Sequence, residues 1–262
     1  MNERLPDVRT PKFLYSNHVF VPKSGVKRES HAHSMYELIY FVRGDASHVV
    51  EDRRYKLSRG DLVIVRPGKF HDICFDSDRE YERCNILFDM EAMGLYRAEE
   101  VSQRFEVVSL AEHPEISAVF AKLSLYREVM PEDEFIEAAA HLLFQLFCDL
   151  SLLPEQKERT YSVHPLLSRA LAYIRDNLFT VRDVGEVAGA LYVTESYLFR
   201  LFRRELKTGP KRYITEKRLL AAQSLIRLGR RPSDVYLECG FSDYTAFFRN
   251  YKSFFGYSPS KE

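Results

Sequence analysis

The sequence has little cysteine, no net charge and no long apolar run. Its four cysteines are Cys74, Cys84, Cys148 and Cys239. They lack the CxxC spacing of a zinc site or a redox motif, which favours reduced thiols in a cytoplasmic protein. No segment approaches the roughly 18 apolar residues of a membrane helix, and residues 1–6 lack the apolar core of a signal peptide. We therefore expect a cytoplasmic location and no membrane partner.

The charge is balanced over the whole chain but unevenly distributed. Residues 162–262 carry 17 Lys and Arg against 10 Asp and Glu, whereas residues 1–161 carry 21 against 28. This asymmetry is typical of a nucleic-acid-binding module fused to a module of another kind. The length of 262 residues, 45% of them apolar, suits two domains with a core each.

A pattern near the C-terminus predicts a helix-turn-helix. A short helix ends at Gly240, which tolerates the positive φ of a tight turn, and Ser242 stands where the helix that follows needs an N-cap. That second helix has aromatic residues on its buried side and Arg249 elsewhere. Two short helices joined by a tight turn, with a basic second helix, are typical of a DNA reader.

The same arrangement occurs upstream. Residues 181–190 predict a short helix, Thr194 caps a second helix over 195–206, and Tyr192 stands where the turn favours glycine. A third helix over 211–228 joins the two motifs. At 1.5 Å per residue this helix spans about 27 Å, comparable to the roughly 34 Å between successive major grooves on one face of DNA. Both recognition helices can therefore enter adjacent grooves.

Residues 165–260 resemble the DNA-binding region of AraC/XylS-type transcription regulators. The matching segments, in order, are residues 196–204, Gly209 with Tyr213 and Arg218, residues 240–243 and residues 254–259. The resemblance implies a sequence-specific transcription regulator with double-stranded DNA as its partner and RNA polymerase as a candidate protein partner.

The resemblance also implies which positions face the bases. These are Ser196, Phe199 and Arg200 in the first recognition helix and Tyr244, Thr245 and Arg249 in the second. Arginine suits a bidentate contact with guanine, while Phe199 either reads a thymine methyl group or packs against the protein. A further set of basic residues is interpreted as phosphate contacts or solvated side chains: Arg203, Arg204, Lys207, Lys211, Lys217 and Lys252.

The N-terminal half has the pattern of an antiparallel sandwich or barrel. Short runs rich in β-branched and aromatic residues alternate with Gly, Asp and Pro turns over residues 36–42, 46–51, 54–57, 61–65 and 84–88. We therefore predict an α+β chain with an N-terminal antiparallel β-barrel, flanking helices and a C-terminal all-α tandem helix-turn-helix.

Four residues in this half follow the spacing of cupin motifs, to which residues 20–75 are similar. They are His31, His33, Glu37 and His71. Positions two apart in a strand share a face, so His31 and His33 both point inward. Two imidazoles, a carboxylate and a third imidazole suit a divalent transition metal. Three interpretations stay open: a metal site, direct contact with an effector, or a structural polar lining. The remaining histidines, among them His18 and His48, are interpreted as surface or locally satisfied residues.

Two further helices are predicted over residues 115–130 and 133–153. The second has a wide apolar stripe, so it either packs against the barrel or pairs two subunits. We expect a homodimer formed through Leu143 and Phe147. The polar, aperiodic segment that follows predicts a linker. The expected domains are residues 1–112 (barrel), 113–153 (helical dimerisation segment), 154–162 (linker) and 163–262 (DNA binding).

The combined pattern favours a regulator whose DNA binding is controlled by a small polar effector, such as a sugar, bound in the barrel. A constitutive DNA binder with a degenerate barrel and a metal-dependent cupin enzyme are the alternatives. No separate nucleophile or general base stands out, and metal ligands alone do not make an enzyme. We therefore expect no catalytic residues and no enzymatic activity.

Overall fold

The β-branched and aromatic runs of the N-terminal half form two sheets in a computed structural model of the chain, which describes residues 7–25, 30–156, 160–162 and 164–262. The strands are β1 (Val8–Arg9), β2 (Phe13–Phe20), β3 (Tyr36–Arg43), β4 (Ala46–Val50), β5 (Arg53–Lys56), β6 (Asp61–Val65), β7 (His71–Phe75), β8 (Tyr81–Phe88), β9 (Val107–Ser109) and β10 (Thr160–Ser162). Sheet A has the order β1-β2-β8-β3-β6-β9, and sheet B has the order β10-β5-β4-β7.

The two faces of sheet A belong to two different apolar clusters. Leu38 and Ile64 lie in a cluster with the flanking helices, whereas their neighbours Ile39 and Val63 lie in a cluster with Ile73 of sheet B. This alternation follows from the period of two in a strand. Sheet A therefore has an inner face toward sheet B and an outer face covered by helices, as in a β-sandwich.

Three helices cover this outer face: α1 (Arg97–Arg104), α2 (Pro114–Val129) and α3 (Glu132–Leu152). Phe135 of α3 packs against the ring of Tyr15 at 5.1 Å, and Phe147 packs against Phe88 at 5.8 Å between centroids. By length and composition alone α3 could cross a membrane, yet its buried side chains contact sheet A as those of a core helix do.

The prediction that Leu143 and Phe147 pair two subunits is wrong. Both side chains are fully buried within their own unit, since the apolar stripe of α3 is used to cover sheet A. A second, narrower set of apolar side chains on the same helix remains exposed: Phe144 is 54% exposed and Leu152 is 83% exposed.

The predicted linker over 154–162 is only partly irregular. The Gln156 side chain accepts a hydrogen bond from the Ser109 backbone N–H at 2.9 Å and donates one to its carbonyl at 3.2 Å. Thr160–Ser162 form β10 at the edge of sheet B. Residues 157–159 lie outside the described residues.

The C-terminal half of the described chain is helical. Its helices are α4 (Pro165–Asp176), α5 (Val184–Ala190), α6 (Glu195–Glu205), α7 (Pro210–Arg227), α8 (Pro232–Glu238) and α9 (Tyr244–Phe255), followed by a 3-10 turn at Pro259–Lys261. The chain divides into two compact units, one built mainly from residues 1–161 and the other mainly from residues 162–262. The predicted fold class, a sheet-rich first part and a helical second part with two helix-turn-helix motifs, is confirmed.

Candidate functional site

The two recognition helices, α6 and α9, begin at side-chain caps. Thr194 accepts a hydrogen bond from the Tyr197 backbone N–H at 3.2 Å, as the sequence predicts. In the second motif the cap is Asp243 rather than Ser242, and its carboxylate accepts from the Ala246 N–H at 2.7 Å. A cap at each start fixes where the first turn of the helix presents its side chains.

All six predicted base-contact residues are exposed on these helices. The buried sides of α6 and α9 are formed by Leu198, Leu201, Phe202, Phe247 and Tyr251. The predicted contacts lie away from those stripes: Ser196, Phe199, Arg200, Tyr244, Thr245 and Arg249. Phe199 is 39% exposed. Its ring lies beside Gly209, where a Cβ atom would be 3.7 Å from the Phe199 ring.

The predicted phosphate contacts differ in accessibility. Arg203, Arg204, Lys211 and Lys252 are exposed. Lys207 and Lys217 are half-buried, and the ammonium group of Lys217 lies 5.3 Å from the centroid of the Tyr213 ring. The exposed members of this set are therefore the stronger candidates for contact with a DNA backbone.

A groove of about 730 Å³ lies between α6, α7 and α9. Its cationic lining residues are Arg203, Lys211 and Arg212, and Asn250 and Ser253 of α9 add hydrogen-bonding side chains. Sequence reasoning missed Asn250 and Ser253. Their signal was their spacing of three residues, which places both on one face of α9, beside the stripe of Phe247 and Tyr251.

One arginine of α7 ties the two helix-turn-helix motifs together. The Arg218 guanidinium donates hydrogen bonds to the carbonyls of Leu178 at 2.8 Å, Val181 at 2.5 Å and Gly240 at 2.8 Å. Burial lowers the pKa of this guanidinium from its usual value. Gly240 has a φ of 78°, and a Cβ there would lie 2.6 Å from the Phe179 carbonyl oxygen. The turn of the second motif is thus held against the start of the first.

In the N-terminal unit, Glu37 and His71 form a buried ion pair. His71 Nε2 lies 2.7 Å from Glu37 Oε2, and His71 Nδ1 donates to the Lys69 carbonyl at 2.9 Å. Burial opposes the charge on the imidazole, but the hydrogen bond and the charge of Glu37 outweigh it and raise the pKa of His71 above its usual value.

The three predicted histidines come together in the structure. One ring nitrogen each of His31, His33 and His71 lies within 4.8 Å of the other two. The set runs from exposed His31 through half-buried His33 to buried His71. Three imidazoles and the neighbouring carboxylate of Glu37 make an N/O set that suits a divalent transition metal. The Lys69 carbonyl accepts from His71 Nδ1 and orients the ring, so Nε2, which faces Glu37, is the nitrogen that would bind an ion.

His48 is not a surface residue, as one of the two interpretations held, because its side chain is almost fully buried. Its ring stacks on that of His71, with centroids 5.8 Å apart and planes at 29°. Val50 pairs with His71 and His48 pairs with Ile73, so His48 shares the inner face of sheet B with both. The alternation of β4 contained this signal, but its pairing with β7 could not be known from the sequence.

Comparison with known families finds two matching models. The model of AraC-like ligand-binding domains matches residues 19–147, and a helix-turn-helix domain model matches residues 187–262. The first match covers β3 to β9, α1, α2 and most of α3, and the second covers α6 to α9. Both matches agree with the division of the chain into a sandwich and a helical unit.

Several curated proteins are similar over most of the chain. An uncharacterised HTH-type transcriptional regulator of Bacillus subtilis (strain 168), YfiF, is 25% identical over 87% of this chain and 76% of its own length. The HTH-type transcriptional activator RhaS of Yersinia pestis is 24% identical over 87% of this chain and 86% of its own length. Among solved structures, ToxT of Vibrio cholerae aligns over 94% of this chain and 97% of its own, with 12% identity and a TM-score of 0.40.

Proposed function

We propose that this chain, which belongs to the AraC family of DNA-binding transcription regulators and carries an N-terminal ligand-binding domain, is a cytoplasmic regulator whose operator binding responds to a small polar effector. Its relatives and both matched domains are those of regulators, not enzymes. The observation that carries the DNA-binding part is the pair of capped recognition helices with all six predicted base contacts exposed.

The groove between α6, α7 and α9 supports this assignment. Its arginine and lysine side chains supply sequence-independent attraction to phosphates, which weakens with added salt. The exposed arginines of the recognition helices, Arg200 and Arg249, supply bidentate donors for guanine. Phosphate contacts position the protein, and base contacts select the sequence.

The test uses an operator selected from random DNA by the full-length protein. Arg249→Ala should cost about 1–3 kcal/mol of binding free energy and relax the selected sequence at one position. Arg203→Ala should weaken binding to all sequences alike and flatten the salt dependence. Arg175→Ala, an exposed arginine on α4, is the matched control and should change neither. Equal losses on operator and random DNA for Arg249→Ala would show that Arg249 contacts phosphate and not a base.

The effector part of the proposal rests on the interior of the sandwich. Glu37, His48 and His71 are buried there, whereas a purely structural sandwich is filled by apolar side chains. A ligand in this interior changes DNA affinity only if it favours one functional state of the protein over another. Typical couplings of about 1–3 kcal/mol correspond to a roughly 5- to 150-fold change in operator affinity.

We further propose a divalent transition metal held by His31, His33, His71 Nε2 and Glu37, with the Lys69 carbonyl orienting His71 through Nδ1. Native mass spectrometry of freshly purified protein should then show one stoichiometric ion, which EDTA removes. The double variant His31→Ala and His71→Ala should lose that ion and keep its DNA affinity in the absence of effector. A metal-free protein that keeps its full response to effector would mean that the histidines line the pocket without a metal.

A homodimer through the exposed faces of α2 and α3 completes the proposal. Leu125 and Val129 of α2 and Phe144 and Leu152 of α3 are exposed apolar side chains that these helices do not use to cover sheet A. Phe144→Glu with Leu152→Glu should give a folded monomer in light scattering, because two buried charges destabilise an apolar interface. Gln145→Glu is the exposed control on the same helix. A dimer that persists in the double variant would place the interface elsewhere.

A further inference from the structure

A group of polar side chains lies on the inner face of sheet A, where β2 and β8 pair. The register places Ser16 opposite Asn85 and His18 opposite Arg83, and opposed residues of an antiparallel pair share a face. Phe20, two residues after His18, contacts the inner rings of Phe75 and Tyr81. The four polar side chains therefore face the interior.

Two of these side chains carry atoms that the described residues leave unpaired. Asn85 is only 6% exposed, and its Oδ1 has no hydrogen-bond partner within the described ranges. The buried Nε of half-buried Arg83 likewise lacks an acceptor there, and no described carboxylate pairs with its guanidinium. By contrast, Ser16 Oγ and His18 Nε2 lie 2.9 Å apart. A buried amide oxygen without a donor is unfavourable, so an unpaired one calls for a partner.

Asn85 lies on the same face of sheet A as Glu37, one of the buried residues already proposed to meet the effector. Ile39 of β3 pairs with Asn85, and Glu37 lies two residues from Ile39 on the same face. Glu37 is engaged by His71, so its charge is compensated. Among the described residues, the interior therefore presents the uncompensated cation of Arg83, the unpaired acceptor Asn85 Oδ1 and several imidazoles.

We propose that the effector is a small hydroxycarboxylic acid of the sugar-acid type. This inference rests on the proposed function and names the class of ligand for its pocket. A carboxylate accepts hydrogen bonds from Arg83, and a hydroxyl group on the same molecule donates to Asn85 Oδ1. A neutral sugar leaves the Arg83 cation without a counter-charge, and an unsubstituted fatty acid leaves the Asn85 oxygen without a donor.

The first test measures thermal unfolding and calorimetric binding of the full-length protein with three kinds of probe. The sugar acids are D-gluconate and D-galacturonate, their neutral matches are D-sorbitol and D-galactose, and hexanoate is the acid without hydroxyl groups. We expect at least one sugar acid to raise Tm and bind, and the neutral matches and hexanoate to do neither. Arg83→Gln should weaken the binding at least tenfold. Binding by the neutral sugars alone, by hexanoate alone or by no probe would overturn the assigned class.

The second test needs no ligand. Asn85→Leu replaces an unpaired buried amide by an apolar side chain of similar shape, so the ligand-free variant should unfold at a higher Tm than the wild type. Asn17 on β2 is the matched control, because its Nδ2 donates to Tyr15 Oη at 3.0 Å and Ser124 Oγ at 3.2 Å on the outer face. Asn17→Leu should lower Tm. A lower Tm for Asn85→Leu as well would show that Asn85 is structural and the inference is wrong.

Operator binding separates this inference from the proposed function. Both Asn85→Leu and Arg83→Gln should bind the operator like the wild type in the absence of ligand. Wild-type protein that binds its operator but none of the sugar acids would refute the ligand class and leave the DNA-binding regulator intact. Wild-type protein that selects no DNA sequence would instead refute the proposed function itself.

Discussion

The two units of the chain differ in where they place their candidate functional side chains: one on its surface and the other in its interior. In the C-terminal unit, α6 and α9 bury an apolar stripe and expose residues such as Arg200 and Arg249. In the N-terminal unit, Glu37, His48 and His71 lie between the sheets and are almost fully buried. An exposed face can meet a partner as large as DNA, whereas an interior admits only a small molecule. Substitutions at the exposed residues of the C-terminal unit should therefore change binding without changing stability. Substitutions in the interior of the N-terminal unit should change both.

The largest expected change in the free energy of unfolding comes from a comparison of two phenylalanines of α3, one buried and one exposed. Phe147→Ala should reduce the free energy of unfolding by about 3–5 kcal/mol, because the ring is fully buried against Phe88 and its loss leaves a cavity. Phe144→Ala, at an exposed position, should change it by less than about 0.5 kcal/mol. Urea unfolding of the two variants measures both values. Equal losses would mean that α3 does not cover sheet A as described.

A smaller loss of unfolding free energy is expected from a substitution at Arg218, where the two helix-turn-helix motifs meet. Arg218→Ala leaves the carbonyls of Leu178, Val181 and Gly240 without their donor, which should cost about 2–4 kcal/mol. Arg182→Ala removes a guanidinium whose side chain is 84% exposed and should cost less than about 0.5 kcal/mol. Urea unfolding followed by helical circular dichroism gives the comparison. An Arg218 variant as stable as the Arg182 variant would show that the C-terminal unit is not held together by this residue.

A gain in stability is expected from a substitution at Tyr192, in the turn of the first helix-turn-helix motif. Tyr192 adopts a φ of 56°, a conformation that favours glycine, and its side chain is 92% exposed. Tyr192→Gly should therefore stabilise the protein by about 0.5–1 kcal/mol, since it removes strain and little packing. Tyr197→Gly, inside α6, should destabilise it by about 1 kcal/mol. If Tyr192→Gly lowers Tm, the exposed ring makes a stabilising contact that outweighs the strain.

The smallest expected effect is that one buried thiol in each unit does not react with an alkylating reagent. Burial raises the pKa of the Cys84 thiol to about 12 and that of the Cys239 thiol to about 11. Because the thiolate is the reactive form, neither thiol should be alkylated by iodoacetamide at pH 8 in the native protein, and both should be alkylated in urea. Mass spectrometry of the labelled peptides provides the measurement, with half-buried Cys148 expected to label first. Rapid native labelling of Cys84 would indicate that the sandwich opens.

Much of the C-terminal unit was predictable because its signals are local. Thr194 caps α6 from three residues away, and Gly240 ends a short helix that lies within a few residues of the next. The cap of α9 was predicted at Ser242 and lies at Asp243, a choice between neighbours that both have capping side chains. The role of Arg218 was not predictable, since its three acceptors come from two distant segments of the chain.

The strands and helices of the N-terminal unit were predictable, but the surfaces against which they pack were less so. The apolar stripe of α3 was evident, but a stripe that covers a sheet and one that pairs two subunits look alike in sequence. The burial of Leu143 and Phe147 decided between them. The alternation of β4 set the face on which His48 lies, but the surroundings of His48 and Asn85 were not predictable, because each acquires them only from the strand that pairs with its own.

The sequence by itself determined the helix-turn-helix motifs and most of their exposed basic residues, because these depend on periodicity and capping within a short segment. The grouping of His31 and His33 with His71 was expected only from the similarity to cupin motifs, since His71 lies far from the other two in the chain. Only the tertiary structure decided which face of α3 is buried, which polar side chains share the interior of the sandwich, and how Arg218 joins the two motifs. These features depend on contacts between residues far apart in the chain, and no local pattern encodes which remote residue arrives opposite another.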